Sequence, residues 1–512
     1  MRLRIVTEIL QQEAKVAILI DESTTTSKKT SMIVYLRINF EGGHPQTLYW
    51  NLVELASSDA AGIVDALLSS LETAGLTLQH LQHHLIAFVS DGASVMFGRK
   101  AGVAAELKRR FPTIITWHCL NHRLELGVSD ALESCPGAVN HFRILLEELS
   151  SFYSQSPKRQ SELEQCAMEL AMQIYRIGRV FDVRWVASSK RSVKALWDSY
   201  PALHKHFTTS QNGATTAEKS KLKGFLRRLE SAEFLQNMAL LLDCLGELSQ
   251  LSLTLQRQEC DFITADNAIR LCIARISSLK ETPGQYMEQA RLAILEGVFS
   301  GIPLNSGSSR IPRINEPQFL QALGDNLRSR LFTTASSGTN RMDEKRQEEY
   351  NTLRDIFRVL DPIEAPTSAQ PQFGRKEIAQ LAEMFQLAEM FQLDEVNLLA
   401  DFEVFRASAG RKVPSLLRLA KSTLQTIPIS NADCERGFSQ MNLAGTDVRN
   451  RLKIETMDKL LFLKLNGPPL EIFDPSRYVK TWIQKGRHSA MATAAKKRTI
   501  KQPEPKLHYK YL

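Results

Sequence analysis

At 512 residues, with 43% hydrophobic and 23% charged side chains, the chain is long enough for about two to four domains and too apolar to be mainly disordered. Lys and Arg outnumber Asp and Glu by 64 to 56, a formal charge of +8, which suits contact with phosphates and is permissive only. The seven cysteines are scattered and never form a C-x-x-C pair, which excludes a disulfide framework and a four-cysteine zinc site and points to a reducing compartment.

Met1 is followed by Arg-Leu-Arg-Ile with no apolar signal core, and the longest apolar stretches are of strand length, so no membrane partner is expected. Val16 to Ile20 is a short continuous apolar run, the pattern of a strand buried on both faces. Met32 to Phe40 and Thr47 to Leu55 are β-branched and aromatic runs separated by Glu41-Gly42-Gly43-His44-Pro45, which is turn chemistry. Asp59 to Ala74 sets Ile63, Leu67 and Leu71 at helical spacing and stops at Gly75, a position suited to a left-handed cap. Leu85 to Val89 is a further buried strand.

From about 140 to 400 the pattern turns to long helical stretches, such as Gln160 to Arg179 and Lys221 to Leu251. The hexapeptide Leu-Ala-Glu-Met-Phe-Gln occurs twice in tandem, at 381–386 and 387–392. Six residues is not a whole number of helical turns, so it reads as local duplication and not as a solenoid repeat. Ser430 precedes Asp433 in the S-x-x-[DE] arrangement of a capping box, opening a helix that carries Glu435 and Phe438. A last amphipathic stretch sets Ile454, Met457, Leu461 and Leu465 on one face, which would suit a partner helix, and stops at Asn466-Gly467-Pro468. Between Lys480 and Leu512 nine Lys or Arg face the single acid Glu504 and supply the whole positive surplus. Lys496-Lys497-Arg498 within this tail reads as a nuclear-import signal, a nucleic-acid arm, or a solvated terminus.

Asp21 directly follows the first strand run and Asp91 closely follows Leu85 to Val89. Both carboxylates therefore fall at C-terminal ends of expected strands, where open α/β sheets carry their ligand groups. Phosphoryl transfer to and from DNA uses divalent metals held by such carboxylates, and Mg²⁺ prefers oxygen ligands. Spacing alone also allows both to be ordinary polar strand-end residues.

Several blocks resemble one family in the same order. Asp21-Glu22-Ser23-Thr24-Thr25, Ser90-Asp91-Gly92-Ala93-Ser94-Val95-Met96, Trp117-His118-Cys119-Leu120-Asn121-His122-Arg123-Leu124, Asp182-Val183-Arg184-Trp185 and Ser430-Asn431-Ala432-Asp433-Cys434-Glu435-Arg436-Gly437-Phe438-Ser439 resemble the successive motifs of hAT DNA transposases. Arg449-Asn450-Arg451-Leu452 and the amphipathic stretch after it resemble the remainder of their C-terminal dimerisation region. The resemblance implies an RNase H-like mixed sheet, α/β in class, interrupted by a large all-α insertion and closed by C-terminal helices. In this chain that corresponds to residues 1–139 and 401–470, with the insertion at 140–400 and a basic tail at 471–512.

It implies further that Asp21, Asp91 and Glu435 are catalytic carboxylates binding Mg²⁺ or Mn²⁺, and that the chemistry is DNA strand cleavage and transfer. Arg184 and Trp185, among Arg176, Arg179, Lys190, Arg191 and Lys194, would contact DNA, the ring stacking on an unpaired base. The other reading of Trp185 is a core residue with solvated charges opposite. Cys119 and His122 are read as structural, ordering a helix start, because a zinc site needs about four ligands and no companion pair is evident. Phe438, Ile454, Met457 and Leu461 are the expected dimerisation residues. The partners implied are DNA and a second copy of the chain, with no small-molecule cofactor, and the location implied is the nucleus. The residues ahead of Asp21 contain no Cys or His, so the finger that precedes the catalytic core in such transposases is not seen. The alternative function is therefore a domesticated, catalytically silent nuclear protein that dimerises and binds DNA, chromatin or a partner.

Overall fold

The computed structural model describes residues 2–24, 30–40, 44–98, 101–134, 136–178, 185–305, 311–332, 341–361, 372–384, 395–445 and 452–484. In chain order, α1 (Arg2–Gln11) precedes β1 (Val16–Thr24), β2 (Thr30–Ile38) and β3 (Gln46–Glu54). Then α2 (Ala60–Thr73) and α3 (Leu78–His84) lead to β4 (Leu85–Ser90), and α4 (Ser94–Phe97) and α5 (Val103–Arg110) to β5 (Ile115–His118). A run of helices follows: α6 (Leu120–Glu133), α7 (Pro136–Ser154), α8 (Pro157–Glu169), α9 (Trp185–Asp198), α10 (Tyr200–Thr209), α11 (Thr216–Leu229), α12 (Ala232–Leu255), α13 (Phe262–Ser278) and α14 (Gln285–Glu296). The short strands β6 (Val298–Phe299) and β7 (Ile302–Pro303) separate these from α15 (Glu316–Phe332) and α16 (Arg341–Val359). The chain closes with α17 (Arg375–Met384), α18 (Glu395–Ala407), α19 (Ser415–Gln425), α20 (Ala432–Ala444), α21 (Ile454–Asn466) and α22 (Ser476–Gln484).

Two compact units result, one formed by 1–118 with 366–512 and the other by 119–365. The sequence placed these boundaries near 139 and 400. The difference lies in α6, whose apolar side Leu120, Leu124, Val128 and Ala131 is buried and packs on α15, and in α17 and α18, which pack on each other and on α19 in the sheet-bearing unit.

In the sheet-bearing unit the strand order is β3-β2-β1-β4-β5. β1, β2 and β3 run antiparallel in sequence, and β4 and β5 join parallel to β1. The fold is thus mixed α/β with a five-stranded mixed sheet. Val16 to Ile20 are fully buried, as are nearly all positions of β2 and β4, because helices cover both faces of these strands. β1 extends past the apolar run to Thr24, since its polar end pairs with β2 from Asp21 opposite Ile33 to Thr24 opposite Thr30.

The expected helix from Asp59 is α2. Asp59 accepts from the Gly62 amide at 2.8 Å, and Gly75 takes φ +107° just past the helix end, a region that glycine enters without strain. The edge strand β3 is closed off by α21. Asn466 accepts from the Tyr49 amide at 3.0 Å and donates to the Tyr49 carbonyl at 2.7 Å, which occupies edge groups that would otherwise template another strand. At the other end of β2, buried Arg37 donates to the Gln425 carbonyl at 3.2 Å, placing a cation at the C-terminus of α19, where the helix dipole is negative.

Beside α3, His80 and His84 stack at 4.2 Å, with His83, Lys15 and Glu13 as the neighbouring titratable groups. Burial, then the His80 and Lys15 charges, push His84 down to about 3. Burial, then Lys15, also lowers His80. Because the unfolded imidazoles take a proton near pH 6.5 and the folded ones resist it, stability is lost as pH falls below about 6.5. Between pH 6.5 and 5 the loss for His84 is expected at about 1 kcal/mol after allowing for solvent screening. Thermal melts across this range check it: His84→Phe flattens the slope, and an unchanged slope would place the acid sensitivity elsewhere.

The helical unit is built around α12, which is packed by α9, α13 and α14. This helix is long and apolar enough to cross a membrane by length and composition, yet 61% of that window is buried inside its own unit. The stretch read as one helix from Lys221 to Leu251 is two. Ser231 interrupts it and caps α12 by accepting from the Phe234 amide at 3.2 Å. The helix read as Gln160 to Arg179 ends at Glu169, two residues before Ala171 adopts φ +53°. Two helix starts are capped from a distance. Asp243 on α12 accepts from the Tyr286 and Met287 amides at 3.1 and 2.9 Å at the start of α14, and Glu125 on α6 accepts from the Val186 amide at 3.1 Å at the start of α9.

Candidate functional site

Parallel pairing of β1 with β4 sets Leu19 beside Val89. Two residues further along each strand stand Asp21 and Asp91, so both carboxylates leave the same end of neighbouring strands. Asp21 accepts from the Glu22 amide at 3.0 Å, while Asp91 accepts from the Ala93 amide at 3.3 Å across the turn after β4. β5 continues this end of the sheet, with His118 opposite Ser90. The His118 ring lies so close to Gly92 that a Cβ there would come within 2.3 Å of it, and it stacks on Phe97 at 5.6 Å. Gly92 is therefore required for Asp91 to sit beside His118.

Glu435 is half-buried on α20, which packs on β1 and β2. Gly437 on the same helix sits over the sheet, where a Cβ would come within 2.4 Å of Ile33 and 2.5 Å of the Tyr35 hydroxyl. Ile33 is paired with Asp21 and Tyr35 with Leu19, so α20 covers the face that Asp21 shares. Burial holds the Tyr35 hydroxyl protonated, reinforced by Cys434 and Asp433. The helix begins at Ala432 with Asn431 at its cap position, one residue later than the S-x-x-D spacing suggested. Ser430 Oγ accepts from the Ala432 amide at 3.1 Å, and Asp433 pairs with Arg436 at 2.7 Å.

Sequence reasoning passed over Glu22. Alternation along β1 puts it with Met32 on the face opposite Asp21. Its Oε1 is buried and has no hydrogen-bond partner among the described residues, and burial, then the Asp91 charge, raise its proton affinity. The signal available was a second acid beside Asp21 on a strand that is otherwise buried. Among the described residues no three His, Cys, Asp or Glu side chains are grouped closely enough to hold a metal ion. The structure thus brings Asp21 and Asp91 to one end of the sheet and carries Glu435 on the helix over it, without gathering the three into a closed ligand cluster.

In the helical unit, Cys119 is buried just ahead of α6 and His122 is half-buried in its first turn. Arg184 lies outside the described residues, as does the side chain of Trp185, the first residue of α9. Of the cations near them, Lys194 is ion-paired with Asp198, Arg191 is exposed, and Arg179 falls outside the described residues. The basic tail from 485 onward and most of the second hexapeptide fall outside them too.

A model of the hAT family C-terminal dimerisation region matches residues 377–466. The chain is a hAT-family transposase or a protein derived from one. The matched segment holds both the helix of Glu435 and the helix that closes the β3 edge, so in this hAT chain the region provides part of the sheet-bearing unit's own core. That corrects the expected dimerisation face. Phe438, Met457 and Leu461 are buried within the same chain and Ile454 is half-buried, because α21 spends its larger apolar side on β3 and α20. The apolar residues left to solvent on these helices are Leu443, Leu460 and Leu463, at 66%, 42% and 56% exposure.

Proposed function

We propose that this protein cleaves and transfers DNA strands with divalent metal on an RNase H-like sheet, with Asp21, Asp91 and Glu435 as the metal-holding carboxylates. One observation carries the reading: parallel pairing of β1 and β4 sets Asp21 and Asp91 at adjacent strand ends, with α20 across the face of Asp21. The strand order, three antiparallel strands followed by two parallel to the first, agrees with it. The donor set fits Mg²⁺ or Mn²⁺, being all carboxylate oxygen. The buried Oε1 of Glu22 and its repulsion from Asp91 mark an excess of negative charge that a cation would relieve. Divalent metal bound there would supply activation of the attacking oxygen and stabilisation of the leaving one. The protein's own part is to orient Asp91 through the Ala93 amide, to hold Glu435 against the sheet through the close approach at Gly437, and to engage unpaired DNA through Arg184 and Trp185.

Calorimetric titration of Mn²⁺ into the full chain tests this. Binding in the wild type that disappears in a folded Asp91→Ala variant is the expected result, and absence of binding by the wild type in the millimolar range overturns the reading. A second reading has its own support, since the matched segment is a dimerisation region: a transposase-derived nuclear protein that dimerises on DNA without cleaving it. Binding to DNA without metal uptake would favour that one.

A further inference from the structure

α9 opens with Trp185, and the residue ahead of it is Arg184. A helix start leaves N–H groups in need of acceptors, and an arginine side chain brings five donors and no acceptor. The missing acceptor comes from another helix. Glu125 Oε2 on α6 accepts from the Val186 amide at 3.1 Å, the second residue of α9. Both residues are buried, Glu125 at 9% exposure and Val186 at 0%. A buried carboxylate is costly unless hydrogen-bonded, and the positive end of a helix dipole is a place that favours it. One turn before Glu125 on the same side of α6, Asn121 accepts from the Ser252 hydroxyl of α12 at 2.9 Å, so α6 is itself fixed in the unit's core.

We infer that Glu125 is a positioning residue that fixes where α9 begins and thereby sets Arg184 and Trp185 for contact with unpaired DNA. The inference rests on the proposed DNA role of that pair. It gives the block from Cys119 to Glu125 a task that needs no zinc: the block forms a rigid helix start that delivers a carboxylate to the Arg-Trp segment. Asp243 caps α14 in the same manner, with no Arg-Trp pair at its helix start, and so isolates the effect of losing a remote cap.

The test measures binding of the full chain to a fluorescein-labelled single-stranded oligonucleotide by anisotropy. Loss of one stacked base costs about tenfold in affinity or more. Trp185→Ala is expected to weaken binding by that amount and Glu125→Ala equally. The double variant should be no weaker than either, because both remove the same contact. Glu125→Gln, whose amide oxygen still accepts from Val186, should recover most of the loss, and Asp243→Ala should bind as the wild type does while melting at a lower temperature. Wild-type affinity in a folded Glu125→Ala beside a weakened Trp185→Ala overturns the inference and leaves the DNA role of Trp185 standing. Wild-type affinity in Trp185→Ala removes that role and the inference with it. If Glu125→Ala does not fold, Glu125→Asp, which keeps the charge and shortens the reach, takes its place: a loss of about tenfold is expected, and wild-type binding overturns the inference.

Discussion

Asp458→Ala is expected to destabilise the sheet-bearing unit by about 3 kcal/mol or more and to lower its melting temperature by roughly 5–10 °C. The Asp458 carboxylate, buried on α21, accepts from the Tyr49 hydroxyl at 2.9 Å and from the Leu52 amide at 3.2 Å, and pairs with Arg2 at 2.6 Å. Arg2 also donates to the Trp50 carbonyl at 2.8 Å and lies over the Phe462 ring at 4.7 Å. One side chain therefore ties α1, the edge strand β3 and α21 together. Alanine leaves a guanidinium, a buried hydroxyl and an edge amide without their acceptor at once, and the desolvation penalty of each then goes uncompensated. Asp458→Asn keeps the shape and one acceptor, so a loss of about 1–2 kcal/mol is expected. Lys459→Ala, on the exposed side of the same helix, should fall within about 0.5 kcal/mol of the wild type. Denaturant melts of the three variants check the ranking. Equal stability of Asp458→Ala and Lys459→Ala would mean that α21 is held by its apolar side alone.

This dock also shows where the sequence was legible and where it was not. The apolar runs of β1, β2, β3 and β4 were readable because strands buried on both faces have no polar interruption. β5 escaped notice because four residues, Ile115–His118, are too few to display a period. The ends were harder. β1 reaches Thr24 only because β2 pairs with its polar residues, a long-range fact absent from local pattern. The same limit explains the misread apolar side of α21: periodicity shows that Met457 and Leu461 share a face, and cannot say whether a second copy or the chain's own β3 covers it. Asp21, Asp91 and Glu435 were found through motif wording, whereas Glu22 and Glu125 belong to no motif role. They emerge only once burial, pairing and hydrogen-bond partners are known.

Among the carboxylates, Glu435 makes the sharpest test of catalysis. Glu435→Gln should reduce Mn²⁺-dependent nicking of supercoiled plasmid DNA by on the order of a thousandfold, equivalent to about 4 kcal/mol of transition-state stabilisation. The substitution preserves volume and removes only charge, and α20 is held on the sheet by apolar contacts of Phe438 and Met441 and by the close fit at Gly437. The melting temperature should therefore stay within about 2 °C of the wild type. Asp433 supplies the internal contrast. It is buried at the start of the same helix and pairs with Arg436 at 2.7 Å, so Asp433→Asn should lower stability by about 1 kcal/mol and leave nicking near the wild-type rate. The opposite pattern, nicking lost in Asp433→Asn and kept in Glu435→Gln, would transfer the closing carboxylate to Asp433. It would also show that the turn of α20 nearest the sheet, not the one carrying Glu435, faces the strand ends of Asp21 and Asp91.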